Sequence, residues 1–119
     1  MAYTNYGLIQ LGSFTKGDAP SSPSYLEFGT GSSTFDGTKN YNDNGFLRKA
    51  ITWRWNGNNP QGTAILLTTD GIGSNIGEVG MGPGATVGST LHSRDTSAIG
   101  DKDETFTTTL SFDVRFSRP

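Results

Sequence analysis

The chain contains no cysteine. Disulfides, thiolate metal sites and cysteine nucleophiles are therefore excluded, and the redox compartment leaves no mark on the sequence. One histidine, His92, rules out a histidine cluster, and its place in a strand-like alternation predicts a surface or interface side chain. Charge is scarce: 17 % of residues are Asp, Glu, Lys or Arg and the net charge is −2, so no basic patch advertises nucleic acid as a partner. No apolar run approaches the roughly 18–20 residues a bilayer span needs. The start, Met1-Ala2-Tyr3-Thr4-Asn5, lacks a basic stretch followed by an apolar one, so the expectation is a soluble protein that needs neither membrane nor secretion signal. No Gly-x-Ser-x-Gly elbow occurs, and no spacing of carboxylates points to an acid–base pair.

What the chain does contain is glycine and aromatics: 17 Gly in 119 residues, with 11 % Phe, Trp and Tyr. That balance predicts short strands joined by many turns, in one domain over residues 1–119. The expected fold is all-β, an antiparallel β-sandwich with a short N-terminal helix as an option. For that helix, Thr4 or Asn5 would cap a segment carrying Leu8, Ile9 and Leu11, while Gly7 and Gly12 argue against it at about 1 kcal/mol each.

Residues 74–94 form the organising stretch, predicted as a β-hairpin. Ile76 to Met81 is one arm, Gly82-Pro83-Gly84 the turn, and Val87, Ser89, Leu91 and Ser93 alternate with Gly88, Thr90, His92 and Arg94 on the return. Residues 25–28 predict a short strand. Residues 46–55 predict a longer one, with Leu47, Ile51, Trp53 and Trp55 on one face and Arg48, Thr52 and Arg54 on the other. A hairpin then leads to residues 63–69, where the run Ala64-Ile65-Leu66-Leu67 suggests a strand covered on both faces. The last strand, 105–116, sustains a period of two, with Phe106, Leu110, Phe112, Val114 and Phe116 on the apolar face. These are expected to meet Ile51, Trp53, Ile65, Leu67, Val79 and Leu91 in the core.

Several patterns carry chemistry only superficially. Asn40-x-Asn42-x-Asn44-Gly45 has the rhythm of a calcium loop, but the twelfth position is Ile51 instead of a bidentate Glu. Gly29-Thr30-Gly31 and the glycines of residues 80–84 lack the Lys of a phosphate loop. No catalytic residue, metal ligand or cofactor is expected. Trp53 and Trp55, with Tyr25 and Tyr41, offer a platform for a sugar or, more simply, the core and rim of a sheet. Glu78 in a half-buried strand calls for a cationic or backbone N–H partner, with Arg94 or Arg48 as the candidates for a structural ion pair. The long connection of residues 34–45 and the terminal segments are the expected contact surfaces, with Phe35, Tyr41, Asn42, Tyr3 and Tyr6 as interface candidates.

The order of motifs resembles that of small structural proteins of tailed-phage virions, associated with tail, fibre or baseplate. Thr4-Asn5-Tyr6-Gly7-Leu8 matches a T-N-x-G-L opening, and Leu26-Glu27-Phe28-Gly29-Thr30-Gly31 a strand ending in L-G-T-G. Arg48 matches an Arg after a loop. Ile76-Gly77-Glu78-Val79-Gly80 matches I-x-E-V-G, Leu91-His92-Ser93-Arg94 matches L-x-S-R, and the alternating final strand ends on Phe116. Lys102 stands where the family has a Lys before the last strand, while Gly80-Met81-Gly82 lacks the family's aromatic. The resemblance implies a non-enzymatic building block of the virion, whose partners are other virion proteins and copies of itself. A capsid decoration protein is the alternative placement, and a receptor- or carbohydrate-binding module with a host-surface glycan as partner is the alternative class.

Overall fold

The computed structural model describes residues 2–34, 36–70, 75–96, 100–101 and 107–113. Phe35, Lys102, Phe106, Val114, Phe116 and residues 117–119, all singled out by the sequence reading, lie outside them. The chain runs β1 (Ala2–Tyr3), α1 (Asn5–Lys16), β2 (Tyr25–Gly29), β3 (Gly45–Ala50), β4 (Thr52–Asn56) and β5 (Asn59–Leu66). It continues with β6 (Asn75–Ile76), β7 (Glu78–Gly82), β8 (Ser93–Asp95), β9 (Gly100–Asp101) and β10 (Thr108–Asp113). A five-stranded antiparallel sheet, β1-β8-β7-β2-β3, packs on a three-stranded one, β10-β5-β4, and β6 pairs with β9. This is an all-β sandwich with a short N-terminal helix.

The core follows from strand alternation. Leu26 and Phe28 of β2 and Val79 and Met81 of β7 point between the sheets, meeting Ala64 and Leu66 of β5 and Ile76. Leu110 and Phe112 of β10, Phe46, Leu47 and Ile51 close its margin.

Three expectations need correction. Residues 46–55 are two strands in different sheets: the chain turns a corner at Ile51, whose N–H donates to the Ser24 carbonyl at 2.9 Å. Within β5, Ala64 and Leu66 are inside, while Ile65 and Leu67 beyond it are 45 % and 50 % exposed, because only one face of the small sheet is covered. Trp53 and Trp55 are likewise exposed, and Trp53 covers Phe112 edge-on at 5.7 Å between ring centroids. Thirdly, the 74–94 hairpin pairs as predicted between β7 and β8 (Gly80↔Arg94, Met81↔Ser93), but its return strand begins only at Ser93. Residues 83–92 form a loop, in which the Gly84 and Ser89 carbonyls and the Gly88 N–H bind Arg48 and Glu27 and the chain rejoins β7 only at His92, whose N–H donates to the Met81 carbonyl at 2.6 Å.

Helix α1 starts on Thr4, whose Oγ1 accepts from the Gly7 N–H at 3.1 Å and donates to the Leu91 carbonyl at 2.6 Å. It ends on Gly17, at φ 90°, with Gly17 N–H on the Phe14 carbonyl and Asp18 N–H on that of Ser13. The glycine expected to oppose the helix is required by its docking: a Cβ on Gly7 would sit 1.9 Å from the His92 carbonyl oxygen.

Candidate functional site

The face of the large sheet opposite the core is charged and buried. Alternation that points Leu26 and Phe28 inward points Glu27 outward, and pairing sets Arg48, Glu27, Gly80 and Arg94 side by side across β3, β2, β7 and β8. Glu78 lies on the same face, two residues from Gly80. Glu27, Arg48, Glu78 and Arg94 are at most 8 % exposed, since two loops close over them.

Glu27 holds the centre. Its Oε1 accepts from Arg48 Nε at 2.9 Å and from the Gly88 N–H at 2.8 Å, and its Oε2 from Asn42 Nδ2 at 2.9 Å. Arg48 then donates to the carbonyls of Gly84 and Ser89. Glu78 accepts from the backbone N–H groups of Asp43 at 2.6 Å and Asn44 at 3.2 Å. Arg94 Nη2 stands 3.8 Å from Glu78 Oε1, a Coulombic contact without a hydrogen bond, and its Nε reaches Asn42 Oδ1 at 3.5 Å. Among the described residues Arg94 Nη1 and Nη2 have no hydrogen-bond partner. Asn42 thus bridges the two ion pairs, and the loops are joined directly by Leu91 N–H on the Asn40 carbonyl at 2.7 Å. Gly80 makes room: a Cβ there would come within 2.6 Å of Leu91 Cδ1, so Leu91, expected in the main core, is buried on this outer face instead.

Glu78 and Arg94 face one another as the sequence suggested, whereas Arg48 belongs to Glu27. The sequence reading does not single out Glu27; the available signal was an acid held between Leu26 and Phe28 in a strand. Asn42, an interface candidate, is 5 % exposed and bonded inside the network, so its side chain is withdrawn from any partner. Tyr41 beside it is 53 % exposed. The arrangement gives Glu27 three donors and Glu78 two under cover, which suits it to fastening loops.

A second feature is an open groove of about 400 Å3 between α1, the 20–23 segment and the sheet edge. Leu11, Phe14, Pro23, Trp53, Met81 and His92 are among its walls, and Tyr3 also lines it. His92 is not at the surface but 4 % exposed. Its Nε2–H donates to the Ser21 carbonyl at 3.0 Å, Tyr6 meets its ring edge-on at 5.2 Å, and its Nδ1 has no partner among the described residues. Burial holds the imidazole below its ordinary value of 6.5, against the opposing pull of the Ser21 bond. Tyr6 is half-buried, its hydroxyl 2.7 Å from Ser21 Oγ. The outlying Asp36 carboxyl is held below the usual carboxylate range by hydrogen bonds from Thr38, with a smaller contribution from the Arg94 charge.

Among the described residues no group of three His, Asp or Glu side chains is placed to hold a metal ion, and no helix is long and apolar enough to cross a membrane. Comparison with family models, with curated proteins and with solved structures yields no match.

Proposed function

We propose that the protein is a non-enzymatic structural part of a tailed-bacteriophage virion, seated in the tail, baseplate or fibres and contacting other virion proteins and copies of itself. The observation that carries the non-enzymatic part of this reading is where the ionisable groups lie. Glu27 and Arg48 are buried and bonded to each other and to loop backbone, Glu78 is bonded to loop backbone, and Arg94 is buried beside it and reaches Asn42, so they stiffen a plate of sheet and loops. The open groove is walled largely by apolar and aromatic side chains, a lining suited to partner packing. The virion setting is supported by the succession of motifs from Thr4-Asn5 to the final alternating strand.

The test is mass spectrometry of purified particles from the phage that encodes the chain, with its copy number per particle. A tail-like copy number supports the proposal. A copy number matching the capsid lattice moves the protein to decoration, and absence from particles overturns the virion reading.

A second reading, a glycan-binding module, is favoured by Trp55, which is 73 % exposed on β4. Glycan-array binding lost in Trp55→Ala supports it; an array without signal removes it.

A further inference from the structure

The chain holds two Asn-Gly dipeptides, Asn44-Gly45 and Asn56-Gly57, and the fold treats them differently. Asn44 is tied down. Its N–H donates to Glu78 Oε2 at 3.2 Å, its carbonyl accepts the Thr30 N–H at 3.0 Å, and its Nδ2 donates to Thr30 Oγ1. Gly45 opens β3, where a Cβ would come within 2.5 Å of Glu27 Oε2. This dipeptide is fastened to the buried charge network.

Asn56-Gly57 lies at the tip of the β4–β5 hairpin, where Asn56 pairs with Asn59 around Gly57 and Asn58. Asn56, Gly57 and Asn58 are all exposed. Gly57 has φ 63°, and among the described residues only glycines have positive φ, so this is a two-residue turn with glycine at its first central position. A Cβ on Gly57 would meet nothing within 4 Å, so the space beside its backbone is open. A hairpin tip closed by one terminal pair opens locally at little cost.

We propose that Asn56 is a site of spontaneous, enzyme-free deamidation in the folded protein, from which the same dipeptide at Asn44 is protected. The Gly57 amide nitrogen gives up its proton to solvent and attacks Cγ of Asn56. A C–N bond forms, the Cγ–Nδ2 bond breaks, and ammonia leaves with a proton from water. A second water then opens the five-membered imide at either carbonyl, giving Asp or its β-linked isomer. Glycine favours the attack because no Cβ crowds the nitrogen. The remaining asparagines precede Tyr, Asp, Asn, Ile or Pro, which either crowd that nitrogen or lack its proton. At Asn44 the ring can close only after the bonds to Thr30 and Glu78 are broken. The product adds one negative charge to a chain of net charge −2, beside Trp55, which is 73 % exposed. The β-linked isomer also lengthens the main chain of the turn by one carbon.

Peptide mapping by mass spectrometry tests this on the full chain kept at mildly alkaline pH, both folded and in denaturing urea. In the folded chain the peptide carrying Asn56 is expected to convert, splitting into two acidic products, about 10-fold or more faster than the peptide carrying Asn44. In urea, where the fold no longer distinguishes the sites, the two rates are expected to agree within about threefold. Asn56→Gln, whose longer side chain cannot close the five-membered ring, removes the first conversion and leaves the Asn44 rate unchanged. Equal rates at the two sites in the folded chain overturn the proposal. So does an Asn56 that stays intact when folded while both sites convert in urea.

Discussion

Two surfaces of this protein are inverted in opposite senses. On the outer face of the large sheet, charge is buried: Glu27, Arg48, Glu78 and Arg94 lie under loops 36–45 and 83–92. On α1, hydrocarbon is exposed while polar side chains face inward. The difference lies in how each inversion is resolved. Glu27, Arg48 and Glu78 are hydrogen-bonded within the chain, and Arg94 lies 3.8 Å from Glu78 and reaches Asn42, so that face is closed by the chain's own loops. The helix stripe has no cover among the described residues. One inversion is therefore closed by folding and the other is left exposed, and mutations should separate them cleanly.

The largest effect is expected at Glu27. Replacing it with Ala leaves the Arg48 guanidinium buried without its anion and also frees Gly88 N–H and Asn42 Nδ2. Loss of one member of a buried pair costs about 3–5 kcal/mol. Urea denaturation should show a fall of that size, a large fraction of the stability of a small domain. A change below about 1 kcal/mol would mean that the outer face is wet and the loops lift from it.

Double-mutant cycles sharpen the comparison within the network. Glu27 and Arg48 share a 2.9 Å charge-assisted bond, whereas Glu78 and Arg94 face each other at 3.8 Å without one. Coupling of about 2–3 kcal/mol is expected for the first pair and about 1 kcal/mol for the second, since ionic hydrogen bonds outrank bare Coulombic contact. The cross cycle Glu78→Gln with Arg48→Gln should lie near zero. Equal coupling in all three would show one delocalised cluster instead of two bridged pairs.

How much of this was legible in the sequence depends on the range over which each signal acts. Alternation is local, and it revealed the hairpin of β7 and β8, the parity of Leu110 and Phe112, and the need of Glu78 for a polar partner. It could not reveal that the chain changes sheets at Ile51, because both strands keep the same pattern through the corner. Nor could it reveal that residues 83–92 leave the ladder, since the groups that draw them away, Glu27 and Arg48, are more than thirty residues distant in sequence. His92 shows the same limit: alternation sent it to the surface, and α1 with Ser21 then covered it. The four apolar side chains of α1 are written plainly in the sequence. Their outward direction follows only from Gly7 and the Thr4 cap, which fix the side of the helix that touches the sheet.

His92 joins the two regions, since its carbonyl receives the Thr4 N–H at 3.0 Å while its ring packs on Tyr6 of α1. Its folded-state pKa is depressed, so below 6.5 the unfolded chain binds a proton that the folded chain resists. Stability from this group is complete above 6.5 and declines as pH falls from there towards the folded value. Melting temperature should drop over that interval, and His92→Gln, whose amide can still donate to Ser21, should flatten the drop. An identical pH profile in the variant would assign the decline to other groups.

The smallest effect is expected where hydrocarbon is most conspicuous. Ile9 is 63 % exposed and touches no part of the described core. Replacing it with Lys removes little buried area, costs at most a few tenths of a kcal/mol in helix propensity, and adds no charge close to the network. In dilute solution the monomer's denaturation midpoint should move by less than about 0.5 kcal/mol equivalent, an order of magnitude below Glu27→Ala. A destabilisation of about 2 kcal/mol or more in dilute solution would instead require that Ile9 be covered from within, by a segment of the same chain, and the contrast between a face closed by folding and a face left exposed would then collapse.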